Sequence, residues 1–263
     1  LSSLSKISCF WGRLTRALFF VAILDGSGIA CGSGEFGGML NFDAPGSNGP
    51  SGVELRNLVV LDGTCSSYGG CGFVWGADVC FVNCKFKNCY GGQGGALYVL
   101  GPASLGFTDC DFEDNSCSLS SAPPPPPVGG AIVLDSVSAS SPGSVSASFS
   151  GCNFVRNAGF NGGALDIFAS TVTIDGCTFR ENTAVQYGAA IHFVGNSASP
   201  NAEATFTGEA SMFCENTSDD PNACVGLGSY AGRSRDSSTR AHVSTHPHTP
   251  PPPPFTTLRL LTP

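Results

Sequence analysis

Apolar side chains recur at every second position in short segments along the chain. The alternating pairs are Leu97/Val99, Ile132/Leu134, Leu165/Ile167 and Ile191/Phe193, and the residues between them are Tyr98, Val133, Asp166 and His192. A period of two is that of a β-strand, in which successive side chains point to opposite faces. The first set is therefore predicted to face inward and the second outward.

These segments belong to a repeat. Cys152-x-Phe154-x-x-Asn157, followed by Gly162-Gly163, recurs 25 residues later as Cys177-x-Phe179-x-x-Asn182, followed by Gly188. The same pattern can be followed along the chain, and its members are the aromatic positions Phe86, Phe112, Phe154, Phe179 and Phe213, the asparagines Asn115, Asn157, Asn182 and Asn216, and the glycines Gly94, Gly95, Gly129, Gly130, Gly162, Gly163 and Gly188. Leu61 stands 25 residues before Phe86 and adds one more copy.

A repeat of this length, with short strands and Gly or Asn at the corners, predicts an all-β fold: a right-handed parallel β-helix of about six to seven coils. The glycines supply positive φ at corners, and Asn three residues after the Phe tolerates the left-handed region. The asparagines are expected to stack into a ladder of amides that bond from coil to coil. Cys89 and Thr64 occupy the Asn position in the two coils that depart from the pattern.

The repeat divides the chain into three parts. Residues 25–225 form the β-helix, with Pro-, Gly- and Ser-rich loops inserted at 43–52, 116–128 and 136–143. Residues 226–263 lose the pattern and are expected to be a disordered tail rich in Pro, Ser, Arg and His. Residues 1–24 have two interpretations, a segment resembling a signal peptide and a first coil.

Charge and hydropathy narrow the classes of partner. The net charge is −8, and residues 25–231 hold five Lys or Arg against nineteen Asp or Glu. Such an acidic surface argues against nucleic acid as a partner. No run approaches the ~20 apolar residues of a membrane-spanning helix.

The chain has thirteen cysteines, and whether they are free or paired depends on whether the protein resides in an oxidising compartment. Four of them, Cys84, Cys110, Cys152 and Cys177, precede the repeat Phe by two residues, and we call them the cysteine column. In-register parallel side chains point the same way, so buried free thiols are favoured for this column. Several of the others lie at corners or in loops and could pair in an oxidising compartment.

Candidate chemistry is sparse. Asp166 and His192 are the best pairing of a carboxylate with an imidazole, for which a solvated surface pair is the ordinary interpretation. Asp109, Asp111, Glu113 and Asp114 are candidates for calcium, although the calcium-binding nonapeptide repeat is missing. Asn216-Thr217-Ser218 is an N-glycosylation sequon. We expect no cofactor, and we favour a non-catalytic protein over an enzyme.

The paired signature of Gly-Gly-Ala-[Ile/Leu] and Phe-x-x-Asn over residues 58–217 resembles the repeat of the polymorphic outer membrane protein family, within the pectin-lyase-like superfamily. The resemblance implies a secreted or cell-surface domain, associated with the outer membrane if bacterial, that serves in adhesion. We therefore expect a structural or binding role toward a glycan or protein of the cell surface or matrix. The alternative is a polysaccharide lyase or glycoside hydrolase on the same fold, since function depends on a site and not on the fold.

Overall fold

The computed structural model describes residues 7–8, 18–27, 30–31, 37–43, 52–118, 129–136, 144–195, 203–207, 211–218 and 227–231. Within these ranges the chain is built of strands and contains no helix. Most of the predicted loops 43–52, 116–128 and 136–143, and the predicted tail beyond residue 231, lie outside the described residues.

The strands, in chain order, are β1 (Ile7–Ser8), β2 (Leu18–Asp25), β3 (Ala30–Cys31), β4 (Leu40–Asp43), β5 (Val53–Leu61), β6 (Thr64–Tyr68), β7 (Gly72–Trp75), β8 (Asp78–Val82), β9 (Lys85–Lys87), β10 (Tyr90–Gln93), β11 (Leu97–Leu100), β12 (Ala103–Thr108), β13 (Asp111–Glu113), β14 (Ser116–Cys117), β15 (Ile132–Asp135), β16 (Val145–Ser150), β17 (Asn153–Val155), β18 (Ala158–Asn161), β19 (Leu165–Phe168), β20 (Thr171–Asp175), β21 (Thr178–Arg180), β22 (Thr183–Tyr187), β23 (Ile191–Gly195), β24 (Glu203–Thr207), β25 (Met212–Cys214), β26 (Thr217–Ser218) and β27 (Leu227–Ala231).

Strands from successive coils pair in parallel and form three long sheets. Sheet A has eight strands in the order β1-β4-β7-β11-β15-β19-β23-β27, and sheet C has seven in the order β26-β22-β18-β14-β10-β6-β3. Sheet B consists of two ladders that meet at β5, one through β8, β12, β16, β20 and β24 and the other through β9, β13, β17, β21 and β25. Eight strands in sheet A mean that seven turns of the chain separate the first from the last, which confirms the predicted parallel β-helix.

Register explains why the repeat is kept. Phe86, Phe112, Phe154, Phe179 and Phe213 lie opposite one another on neighbouring strands. Their rings stack at centroid distances of 5.1, 4.8, 4.8 and 4.8 Å along the axis. The four that precede Phe213 are fully buried, and such offset stacking adds to the gain from removing apolar surface from water.

The corners follow a rule that differs from the predicted one. The left-handed residue stands two positions after the core Phe, as in Asp114 and Arg156, each with φ of 54°. The Asn at the next position points into the rod instead. The first glycine behaves as expected at Gly94, Gly162 and Gly188 but not at Gly129, which has no positive φ. Gly162 has φ of 62°, and a Cβ there would lie 2.0 Å from the carbonyl oxygen of Leu165.

Two boundaries also differ from the prediction. Val60, and not Leu61, lies opposite Phe86 and is fully buried, so Gly63 and not Thr64 takes the Asn position of that coil. Residues 227–231, assigned to the tail, form strand β27 and pair with β23. At the other end, residues 18–25 form β2 and pair in parallel with β5.

Candidate functional site

The outer face of sheet A carries two columns of side chains, one from the second and one from the fourth residue of each strand. From β7 to β23, the second-residue column reads Phe73, Tyr98, Val133, Asp166 and His192. The fourth-residue column reads Trp75, Leu100, Asp135, Phe168 and Val194. Alternation predicts that such residues face solvent. All five members of the second-residue column are nevertheless buried.

The ends of the sheet C strands cover this column. Tyr68 ends β6, and its ring lies 4.8 Å from that of Tyr98 and 6.4 Å from that of Phe73. Tyr187 ends β22, and its ring stacks on that of His192 with centroids 5.6 Å apart and an interplanar angle of 19°. At these two corners the aromatic side chain that precedes the glycine therefore lies against outward side chains of sheet A.

Asp166 and His192 form a hydrogen-bonded pair in this covered corner. Nδ1 of His192 lies 2.8 Å from Oδ1 of Asp166. Asp166 is 0% exposed and His192 is 2% exposed, so the interpretation of a solvated surface pair is wrong. Moving a carboxylate and an imidazole out of water is costly unless both are well paired. Their burial thus indicates a specific arrangement and not a chance contact.

Two buried polar atoms at this corner lack a hydrogen-bond partner in the protein. One is Nε2 of His192 itself. The other is Oδ1 of Asn161, the last residue of β18, which is in register with the Tyr187 that stacks on His192. Unpartnered buried polar atoms are rare in folded proteins and call for a bound molecule or a functional role. Sequence analysis missed Asn161. The available signal was its position five residues before Asp166, the same offset that separates Tyr187 from His192.

A second polar pair lies on the same face one coil away. The hydroxyl of Tyr98 donates a hydrogen bond of 2.6 Å to Oδ2 of Asp135. Burial and the neighbouring Asp135 carboxylate raise the pKa of Tyr98, so its hydroxyl keeps its proton. Asp135 itself is 7% exposed. This pair, unlike Asn161, had no sequence signal, because the two residues are 37 positions apart.

The calcium candidates are engaged in other interactions. Glu113 accepts ion pairs from Lys85 at 2.8 Å and from Lys87 at 3.5 Å. Asp114 binds Arg156 at 2.7 Å, and the side chain of Asn153 donates to Asp111 at 2.9 Å; Asp109 stands at a corner with φ of 52°. Across the described residues, no group of three or more His, Cys, Asp or Glu is arranged to hold a metal ion.

The ion pairs follow the alignment of copies. Lys87 lies in register with Glu113 and bonds to it, and Arg156 bonds to Asp114, which holds the same repeat position in the preceding coil. Every Lys and Arg that the structure describes lies in a sheet B strand or at the corner that follows one: Arg56, Lys85, Lys87, Arg156 and Arg180. The described strands of sheets A and C contain none.

The asparagines form a continuous ladder inside the rod. The side chain of Asn157, for example, donates to the carbonyl of Phe112 and to Oδ1 of Asn182, both at 2.9 Å. Asn216 is the last member of the ladder within the described residues: it is 2% exposed, and its amide nitrogen donates to the carbonyl of Phe179 at 3.0 Å. The folded chain therefore does not offer Asn216 as a glycosylation acceptor, and that prediction is wrong.

The cysteine column also forms hydrogen bonds between coils, at the corner between the two sheet B strands of each coil. Its thiols are free and buried, and the Sγ of Cys110 lies 3.4 Å from the carbonyl oxygen of Phe81 in the preceding coil. Hydrogen bonds to the sulfurs of Cys152 and Cys84, together with burial, raise the pKa of Cys110. These cysteines thus act as small apolar groups that also donate to corner carbonyls.

Four corner cysteines are oxidised. The disulfides are Cys31–Cys65 and Cys71–Cys89, which close 34- and 18-residue separations. Cys31 and Cys65 are in-register partners on neighbouring strands, with Cα atoms 4.8 Å apart. The argument that in-register side chains do not pair therefore fails at this corner, although it agrees with the free thiols of the cysteine column.

Comparisons with known proteins agree with this architecture. Residues 46–222 match the family described as right handed beta helix region. No curated protein and no solved structure matches. Within the described residues, no helix is long and apolar enough to cross a membrane. Because the match extends over more than half of the sequence, the chain belongs to the right-handed β-helix family.

Proposed function

We propose that this protein is a secreted or cell-surface β-helix that binds a glycan without turning it over, using the outer face of sheet A. The resemblance of its repeat to that of the polymorphic outer membrane proteins supports an adhesive role, at the outer membrane if the source is bacterial. The two disulfides support an oxidising, extracellular compartment.

The observation that carries the proposal is the aromatic border of this face. Tyr68 and Tyr187 lie along one side and Trp75 and Phe168 along the other, and all four are half-buried. Each is thus held by the packing below while part of its ring remains in contact with solvent. Rings fixed in this way bury the apolar faces of sugar rings, and the Tyr and Trp polar groups bond to hydroxyls.

A binding experiment on the full chain tests the proposal. A panel of neutral and acidic cell-surface and cell-wall polysaccharides is titrated against wild type, Trp75→Ala and Tyr90→Ala. Tyr90 is a matched control because it is 43% exposed on sheet C, away from the proposed face. We expect at least a tenfold loss of affinity for Trp75→Ala and no change for Tyr90→Ala. Failure of wild type to bind any glycan, or equal losses in both variants, would refute the proposal.

The second candidate is a carbohydrate-active enzyme, and the buried Asp166 and His192 pair favours it. A carboxylate that orients an imidazole is the arrangement of a general base. The same panel distinguishes the two, because an enzyme releases product. Product formed by wild type and lost in both Asp166→Ala and His192→Ala would replace the binding proposal with an enzymatic one.

A further inference from the structure

The column that contains Asp166 and His192 changes from apolar to polar residues along the rod. In the three preceding coils the same column holds Phe73, Tyr98 and Val133, which form an apolar cluster of their own. The coils of β19 and β23 hold the polar pair at this position instead, although replacing a buried ion pair by apolar residues is often neutral or stabilising. The polar pair therefore has no advantage in packing, and a role in binding accounts for it.

The hydrogen bonds of the pair define what it can bind. When Nδ1 of His192 donates its proton to the Asp166 carboxylate, Nε2 carries a lone pair and accepts. Oδ1 of Asn161 also accepts. Both atoms are buried and unpartnered. Two buried acceptors require a molecule that donates hydrogen bonds, and a hydroxyl group or a water molecule fits that requirement.

The surrounding charge narrows the class of ligand further. Asp135 and Asp166 lie on the outer face of sheet A, and the described strands of sheets A and C contain no Lys or Arg. A carboxylated or sulfated sugar would be repelled by the two acids without a cation to bind it. A neutral hydroxylated molecule meets neither obstacle.

We propose that His192 Nε2 and Asn161 Oδ1 form a hydroxyl-binding site, held in its accepting state by Asp166. Water occupies it in the free protein, and a hydroxyl group of a neutral glycan replaces that water in the complex. The glycan part of this assignment rests on the binding function proposed above. Asp166 is a positioning residue, because it acts on the ligand through the tautomer of His192.

Nitrogen-15 NMR of the imidazole tests the site without relying on binding. The chain has four His, and the signals of His192 are assigned by their absence from His192→Phe. We expect Nε2 to lack a proton and Nδ1 to carry one, and a neutral glycan from the panel to shift the Nε2 resonance. A proton on Nε2 in wild type would overturn the site. An accepting Nε2 that responds to no glycan would assign water as its occupant and overturn the glycan part.

A double substitution separates recognition from stability. Asp166→Val with His192→Phe restores the apolar column, and Asn161→Leu removes the second acceptor at similar volume. We expect both variants to keep the wild-type melting temperature within a few degrees and to lose at least tenfold in affinity for a neutral glycan. Unchanged affinity in both would overturn the proposal. A wild type that binds only acidic glycans would contradict the ligand class and leave the aromatic border of the proposed function intact.

Discussion

Truncation of Asn157 measures how much the interior ladder contributes to the rod. Its side chain donates to the carbonyl of Phe112 at 2.9 Å and accepts from the backbone N–H of Asn115 at 3.1 Å. Asn157→Ala leaves both of these backbone groups buried without those bonds. Each such loss costs about 2 kcal/mol, so we expect the free energy of unfolding to fall by about 4 kcal/mol.

The assay is urea denaturation followed by far-ultraviolet circular dichroism, with the disulfides intact. The matched control is Asn153→Ala in the same coil, because Asn153 is exposed and its amide bonds only to the surface carboxylate of Asp111. We expect the control to remain within about 0.5 kcal/mol of wild type. An Asn157→Ala variant that is no less stable than this control would refute the ladder argument.

An isosteric substitution of Asn157 tests its burial through the pH dependence of stability. Asn157→Asp keeps the shape but removes both N–H donors and places a carboxyl group in the interior, where burial raises its pKa. A raised folded pKa means that the loss of stability is smallest below the unfolded value of about 3.9 and grows as the pH rises through the folded pKa. The variant should therefore differ most from wild type at neutral pH. A constant difference between pH 3 and pH 7 would contradict a buried position.

Three further predictions follow from the packing and charge of the rod. Phe112→Ala removes the centre of the phenylalanine stack and should cost about 4 kcal/mol in urea denaturation, whereas Phe112→Leu should cost less than about 1.5 kcal/mol; equal effects would contradict tight stacking. Iodoacetamide should modify the exposed Cys80 in the native protein and the cysteine column only after denaturation, as read by mass spectrometry. The Cys80 rate should still be rising above the ordinary thiol pKa of about 8.5, because only the thiolate reacts and because partial desolvation of the thiol and the Glu54 carboxylate raise its pKa. Native labelling of the column at a similar rate would refute its burial. The Arg156 hydrogen bond holds the pKa of Asp114 below its usual range, so this pair stabilises the fold above the unfolded value of about 3.9 and is lost as the pH falls through the folded pKa; Arg156→Gln should weaken this acid dependence, and an unchanged dependence would contradict the pairing.

The repeat made the fold predictable from sequence. A β-helix pairs equivalent positions of successive coils, so a side chain that fits one coil meets its own copy in the next. The stacked phenylalanines and the asparagine ladder could be read from spacing alone for that reason. Where one residue departed from the copy, as at Leu61, spacing chose the wrong neighbour, because a shift of one residue exchanges the inner and outer faces.

Only part of the candidate site could be predicted from the sequence. Alternation within the strands placed Asp166 and His192 on the outer face of the sheet, and the repeat placed them side by side in neighbouring coils. Alternation also implied that both residues are exposed to solvent, which was wrong. The pattern tells which side of a sheet a residue occupies but not what covers that side. Tyr187 covers His192 from sheet C, with Asn161 in register beside it, and both placements depend on the bend between two sheets.

The sequence by itself determined the coil length, the inward residues and the order of strands, since these follow from local alternation repeated at a fixed interval. The tertiary structure decided which outward residues are buried, which cysteines are oxidised and which ions pair. Those outcomes depend on distances between different sheets and around corners, and the periodic pattern of the sequence carries no information about such distances. The burial of Asp166 and His192, and with it the proposed hydroxyl site, belongs to this second group.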